Sequence, residues 1–165
     1  MHTRLCLVIL IMVSLTGTVL AAEVATHGPI TVAVPEGWQA EVINEKETAG
    51  HIDLKSDNAV IHVYTYERSN PNLQEAMKDM VVYYSKKGGS QYEIYQFVSS
   101  GLMAAATTRG KNFWPDLATI SCGGQIFYIS LNYVNGIEPE LTQAEHPQSA
   151  FNMVSFSLRS HVPRC

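Results

Sequence analysis

The chain has 165 residues, with 11 lysines and arginines against 15 aspartates and glutamates, and a formal net charge of −4 at pH 7. The basic residues are scattered, which argues against nucleic acid or an anionic membrane surface as the partner. A hydrophobic share of 46% is enough for a packed core, so we do not expect general disorder.

The first 22 residues have the pattern of a cleavable signal peptide. His2 and Arg4 precede the apolar run 5–13, and small residues at 21–22 offer a cleavage site, an order typical of export signals. An uncleaved anchor is the alternative, but the run is short for a membrane span, which needs about 20 apolar residues. We predict an exported protein, periplasmic or secreted, with a single domain over residues 23–165 and no integral membrane segment after cleavage.

Two cysteines remain after this cleavage, Cys122 and Cys165. Outside the cytoplasm an even pair favours a disulfide. Such a bridge would tie the C-terminal residue to the body of the fold. Two free thiols are the alternative.

Short strands open the predicted domain. A β-branched run at 30–34 leads into the turn V-P-E-G-W, and Trp38 begins a second strand candidate over 38–43. Because its apolar area is large, we expect Trp38 to face the core. Two alternating runs at 51–55 and 59–67 are separated by Ser-Asp-Asn, which predicts a hairpin.

The clearest helical pattern covers residues 72–87. Asn72 is placed to cap the first turn, and the last turn contains two lysines. One apolar stripe follows the helical spacing, formed by Leu73, Ala76, Met77, Met80, Val81 and Tyr84.

Four further strand candidates follow this helix, at 92–98, 102–108, 116–122 and 125–134. A Gly-Gly pair joins the last two, which predicts a tight hairpin. A short C-terminal helix is expected over 148–154. Hairpin-linked strands with helices among them predict an α+β fold, in which a mainly antiparallel sheet is flanked by helices.

Four motifs occur in a suggestive order: ITVAVPEGW, AVIHVYTYE leading into SNPNLQEAMKDMVVYY, ISCGGQIFYISLNY and FNMVSFSL. Together they resemble the PsbP/Mog superfamily of α/β/α sandwiches, which includes bacterial exported DcrB-like proteins. The resemblance spans residues 28–158, and only the spacing of the last motif departs from the family pattern. It implies a non-enzymatic accessory or binding domain, and it carries over no catalytic residue.

The 51–67 hairpin offers a candidate metal site. If Lys55 pairs with Val60, four apolar residues share one face, and Asp53 lies across from His62 on the other. His51 lies on that second face too. Two imidazoles and a carboxylate can bind a divalent transition metal. The alternative is a half-solvated polar face with a cross-strand Asp53–His62 pair.

Aromatic and polar residues extend this face along two strands. His62, Tyr64 and Tyr66 alternate on one strand, and Tyr128, Ser130 and Asn132 alternate on the other. Tyrosine is enriched at interfaces, so Tyr64, Tyr66, Tyr128 and Asn132 are candidate partner-binding residues. A face that packs beneath a helix is the alternative.

A second candidate contact surface is the stretch R-G-K-N-F-W-P-D at 109–116. Arg109, Phe113 and Trp114 combine a cation with large aromatic rings, which suits a protein interface. Alternatively, the two aromatic rings cap one end of the core.

Enzyme signatures are missing from the sequence, which has no G-x-S-x-G elbow, P-loop, H-E-x-x-H or C-x-x-C motif. We therefore expect neither catalysis nor a cofactor. The leading hypothesis is an exported accessory domain that contacts a protein partner in the cell envelope. The alternative is a metal- or small-ligand-binding protein that uses the face of the 51–67 hairpin.

Overall fold

A computed structural model describes residues 23–66, 72–88, 92–97, 102–107, 115–134 and 146–161. In these ranges the strands are β1 (Val24–His27), β2 (Ile30–Ala33), β3 (Gln39–Val42), β4 (Thr48–Lys55), β5 (Ala59–Tyr66), β6 (Tyr92–Phe97), β7 (Leu102–Thr107), β8 (Pro115–Cys122) and β9 (Gln125–Tyr133). The helices are α1 (Leu73–Gly88) and α2 (Pro147–His161). The predicted signal peptide lies outside the described residues.

Seven strands form one antiparallel sheet in the order β3-β4-β5-β9-β8-β7-β6, and β1 pairs with β2 in a separate hairpin. The chain leaves β5 through α1, begins again at the far edge with β6, and returns strand by strand to place β9 beside β5. The predicted α+β class with a mainly antiparallel sheet is confirmed. No helix within the described ranges is long and apolar enough to cross a membrane.

The β4–β5 hairpin has the predicted register, with Lys55 opposite Val60 and Asp53 opposite His62. Strand β4 begins earlier than predicted, at Thr48, because a register shift between Thr48 and Gly50 lets the strand continue through the expected turn. Such a bulge bends a strand and re-aims its side chains. The polar composition of residues 44–50 hides this extra pairing.

The β8–β9 connection is the predicted two-residue turn, in which Cys122 pairs with Gln125. Its two residues, Gly123 and Gly124, have φ values of 58° and 83°. Positive φ at both central positions is required for this hairpin turn, and glycine adopts it without steric cost. The turn therefore fixes the β8–β9 register and places Thr119 opposite Tyr128.

Helix α1 begins where the sequence predicts, because Asn72 Oδ1 accepts hydrogen bonds from the backbone N–H groups of Gln74 (3.0 Å) and Glu75 (3.3 Å). Its stripe buries Met77 and Met80 in a cluster with Leu117, with Tyr84 and Tyr128 packed alongside. The helix contacts β6, β7 and β8. Helix α1 therefore covers less of the β4–β5 half of the same sheet face.

Helix α2 extends past the predicted span to His161. Phe151, Val154 and Leu158 repeat at helical spacing, and all three belong to the main core with Ile120 and Ile129 of the sheet. The stripe thus continues beyond the predicted end of the helix at Val154. The backbone N–H of Ala33 also donates to Ser157 Oγ at 3.0 Å, which ties α2 to β2.

Trp38 packs against the main core as a partly buried side chain, as predicted. Its backbone N–H donates to the Pro35 carbonyl at 3.1 Å, which closes the turn. Strand β3, which follows it, is exposed at all four positions. Strand β1 is absent from the sequence prediction, because its four residues are half-exposed or exposed and only pairing with β2 defines them.

Candidate functional site

A groove runs between α1 and the β4–β5 half of the sheet, with a volume of about 530 Å³. Five tyrosines line it: Tyr64, Tyr66, Tyr83, Tyr84 and Tyr128. The other lining residues are Glu45, His51, His62, Asp79, Met80 and Lys87. We call this surface the tyrosine groove. It exists because α1 packs over β6, β7 and β8 and leaves the polar face of the β4–β5 hairpin open to one side.

Two histidines at this groove share one buried carboxylate. His51 Nε2 donates to Asp53 Oδ1 at 2.9 Å, and His62 Nδ1 donates to the same oxygen at 2.7 Å. The two imidazole centroids are 6.1 Å apart. The side chains of His51 and Asp53 are 12% and 11% exposed, and that of His62 is 30% exposed. We call these three residues the His–Asp–His cluster.

Contacts within the cluster shift the pKa values of Asp53 and His51. Burial alone would raise the pKa of Asp53, but the hydrogen bonds from His51 and His62 outweigh it and hold that pKa well below its usual range. The hydrogen bond to Asp53 raises the pKa of His51 against the opposing effect of burial, and Glu45 adds to the rise. Glu45 Oε2 lies 3.4 Å from His51 Nδ1. The imidazole of His51 therefore lies between two carboxylates.

His27 of β1 fixes the backbone that carries His51. The N–H of His51 donates to His27 Nδ1 at 3.1 Å. The approach of β1 to β4 is close, since a Cβ built on Gly50 would lie 2.5 Å from the His27 carbonyl oxygen. Only glycine allows the two strands to come this near. No sequence pattern indicated this role for His27, because β1 itself was not predicted.

The tyrosines on the sheet form a packed aromatic wall. Tyr64 and Tyr128 stack at 5.2 Å with an interplanar angle of 6°. Tyr66 meets them edge-on, at 5.7 Å from Tyr64 and 5.5 Å from Tyr128. Burial is the main cause that raises the pKa of all three hydroxyls, so they stay neutral donors at ordinary pH. The predicted alternation therefore brings Tyr64, Tyr66 and Tyr128 together.

Asn132 shares the predicted face with Ser130, and its partner-binding role stays a prediction. Its Nδ2 donates to Ser130 Oγ at 3.4 Å, and the same oxygen accepts a hydrogen bond from Tyr84 at 2.7 Å. Asn132 does not line the tyrosine groove. It supports the buried Ser130 beneath the helix.

Helix α1 supplies the opposite wall, which the sequence analysis missed. Asp79, Tyr83 and Lys87 lie four residues apart, so they share one stripe of the helix beside the apolar one. Tyr83 is 57% exposed, and Lys87 Nζ lies 5.8 Å from its ring centroid. This spacing was the available signal, but only the packing of α1 shows that the stripe faces a groove.

Several predicted residues lie outside the described ranges, namely Arg109, Phe113, Trp114 and Cys165. Their proposed contact surface stays a prediction. Cys122 is buried at the end of β8, 2% exposed. Because Cys165 lies outside the described residues, the disulfide between them also stays a prediction.

Fold and site together define an α+β protein with a mainly antiparallel sheet and an open, tyrosine-lined groove beside one helix. No protein-family model matches the chain, and no curated protein or solved structure matches it either. The resemblance to the PsbP/Mog superfamily therefore rests on the sequence motifs alone.

Proposed function

We propose that this chain is an exported, non-enzymatic binding protein that holds a small organic ammonium ion in the tyrosine groove. The observation that carries the proposal is the combination of five tyrosine rings with two carboxylates, Glu45 and Asp79, in one cavity. Its volume of about 530 Å³ falls within the range of small-molecule sites, roughly 300–1,000 Å³.

Aromatic faces attract cations through the ring quadrupole, by about 0.5–2 kcal/mol for each contact within about 6 Å. Lys87 illustrates this preference, because its ammonium already lies 5.8 Å from the Tyr83 ring centroid. An organic ammonium combines a charge with apolar groups, so it can contact ring faces that a strongly hydrated inorganic ion would avoid.

Charge in the groove supports the same ligand class. Glu45 and Asp79 contribute two negative charges to the lining and Lys87 one positive charge, while Asp53 offsets the charge of its partner His51 when that imidazole is protonated. The whole chain is also negative, with a formal charge of −4. The negative potential of the groove and that of the whole chain therefore both favour binding of a cation.

Export and the PsbP/Mog-like α/β/α sandwich belong to this proposal as well. Their support is the signal-like pattern of the first 22 residues and the order of the four motifs. A binding or accessory role suits that resemblance, and the groove is the surface that we propose for it.

Isothermal titration with choline and its uncharged isostere 3,3-dimethylbutan-1-ol tests the proposal, in buffer containing a metal chelator. We expect choline to bind at least tenfold more tightly, because only it carries the charge that the rings and carboxylates attract. Equal affinities, or no binding of choline, would overturn the proposal.

Two variants localise the binding. Asp79→Asn removes a groove carboxylate and should weaken choline about threefold to tenfold. Glu36→Gln makes the same change in net charge at an exposed turn residue and should leave the affinity unchanged. If both variants weaken choline equally, the effect comes from net charge and the groove is not the site.

A protein partner is the second candidate function, favoured by the exposed apolar surface of α1 beside the groove. Val82 is 49% exposed and Tyr83 57% exposed, and exposed aromatics are typical of interaction surfaces. Pull-down from the envelope fraction should recover a protein with the wild type that Tyr83→Ala loses. Equal recovery by both proteins would contradict a partner at this surface.

A further inference from the structure

Beyond the ammonium site, we infer that His51, Asp53 and His62 bind one divalent transition metal ion at the floor of the tyrosine groove. This inference does not require the ammonium ligand, because it rests on a different set of atoms. One donor atom from each of the three residues lies within 4.8 Å of the others.

Donor spacing fits an ion. Bonds of about 2.0–2.1 Å in a tetrahedral site separate neighbouring donors by about 3.4 Å. The two histidine nitrogens now lie 2.9 and 2.7 Å from Asp53 Oδ1. To hold an ion, these two contacts lengthen by about half an ångström. The distance between the two histidine nitrogens, at most 4.8 Å, shortens at the same time. Small side-chain rotations on a fixed hairpin are enough for both adjustments.

A second, independent observation concerns the other nitrogen of His51. His51 Nδ1 is buried and forms no hydrogen bond, although Glu45 Oε2 lies only 3.4 Å away. A metal at Nε2 leaves the imidazole proton on Nδ1, which can then donate to Glu45. A carboxylate behind a ligating histidine is the usual support in protein metal sites, since it orients the ring and strengthens the donor.

The backbone under the ligands is also restrained. His51 and Asp53 lie two residues apart on β4, and His62 is directly opposite Asp53 on β5. The hydrogen bond from the His51 N–H to His27 Nδ1 holds β4 against β1. The same contacts would also hold a protonated His51 between Asp53 and Glu45 in a cluster without metal, and the zinc titration distinguishes the two arrangements.

Ligand chemistry limits the choice of metal. Imidazole with a carboxylate suits Zn²⁺, Ni²⁺ or Cu²⁺, whereas Cu⁺ prefers sulfur donors and Ca²⁺ and Mg²⁺ prefer all-oxygen sites. Three protein donors leave at least one coordination position open. His51 and His62 both line the groove, so the open position faces it.

Zinc binding is measured by competition with a chromophoric chelator on the purified protein, in buffer free of organic ammonium ions. We expect one Zn²⁺ per chain. His62→Gln should weaken binding at least 100-fold, and Glu45→Gln about 10-fold, as typical for a support residue. His146→Gln is the matched control, since His146 lies at the start of α2 and outside the cluster, and its affinity should equal that of the wild type.

Asp53→Asn provides a second ligand variant of nearly identical shape, and far-UV circular dichroism shows whether each variant is folded. Visible absorption of Co²⁺ in place of Zn²⁺ reports the coordination directly, and it should change in both ligand variants. The inference is overturned if folded His62→Gln or Asp53→Asn binds zinc as tightly as the wild type, or if the wild type binds none. Choline binding in chelator would survive such a result, so the two proposals fail separately.

Discussion

Tyr84 of α1 donates a hydrogen bond to Ser130 of β9, with 2.7 Å between the two oxygens. Ser130 is fully buried, so this bond fastens the helix to the sheet at the inner side of the tyrosine groove. The position of Asp79 and Tyr83 relative to the sheet depends on it, because both lie on the same helix.

Removing this hydroxyl with Tyr84→Phe should lower the free energy of unfolding by about 1 kcal/mol, the usual net value of a hydrogen bond. Urea unfolding followed by circular dichroism measures the change. Tyr83→Phe is the control one residue away, on a ring that is 57% exposed, and should shift stability by less than about 0.5 kcal/mol. Equal losses of unfolding free energy in the two variants would mean that the hydrogen bond from Tyr84 to Ser130 does not stabilise the fold.

The His–Asp–His cluster should make the metal-free protein pH-dependent in a defined window. The pKa of His51 is raised from 6.5, so its stabilisation is complete below that value and is lost as pH rises through the folded pKa. The pKa of Asp53 is lowered from 3.8, so its stabilisation is complete above that value and is lost only in acid. The cluster should therefore contribute most between these two values.

Comparing the wild type with Asp53→Asn in chelator isolates this contribution. The difference in unfolding free energy should be about 2 kcal/mol near pH 5, the size expected for hydrogen bonds to a charged group. It should shrink towards pH 9. A difference that grows with pH would contradict the assigned direction for His51.

Replacement of Gly28 at the β1–β2 turn should be strongly destabilising. Its φ is +57°, and a Cβ there would lie 2.0 Å from the Ala49 carbonyl oxygen. Gly37 shares a positive φ of +77° but has open space around it. Gly37→Ala should therefore cost about 1–2 kcal/mol from backbone strain alone, and Gly28→Ala about 3 kcal/mol or more because the backbone must also move. Thermal unfolding of both variants checks the order, and equal costs would refute the close approach.

Zinc and choline should oppose each other if both proposed sites exist. A bound divalent ion adds at least one positive charge to the groove that attracts the ammonium ion, so choline should bind about tenfold more weakly in zinc-saturated protein. Zinc should lose the same factor when choline is saturating, because coupling between two binding sites is reciprocal. Titrating choline with and without zinc measures the factor, which should fall at high salt. Equal or tighter choline binding in the zinc-saturated protein would contradict this coupling.

Sequence patterns predicted the structure correctly where each local signal agreed with the tertiary packing. The stripe of α1, its Asn72 cap and the Gly-Gly turn each predicted a feature that the structure contains. The hairpin register also followed from the sequence, because a slip by one residue would move its apolar residues out of the core. That register alone placed Asp53 opposite His62.

Local patterns failed where long-range contacts define the structure. Strand β1 is too short and too exposed to stand out, and it exists through pairing with β2 and close approach to β4. Helix α2 continues past Val154 because Leu158 is buried in the main core. These contacts join residues far apart in sequence, which no local pattern encodes.

The sequence by itself therefore determined which side chains share the polar face of the hairpin, because strand residues alternate between faces with a period of two. Only the tertiary structure decided that this face borders a groove, since that depends on where α1 crosses the sheet. It also brought Glu45 to His51 and turned Asp79, Tyr83 and Lys87 towards the tyrosines. The physical reason is that a site between elements depends on how those elements pack, and packing is set by the whole core.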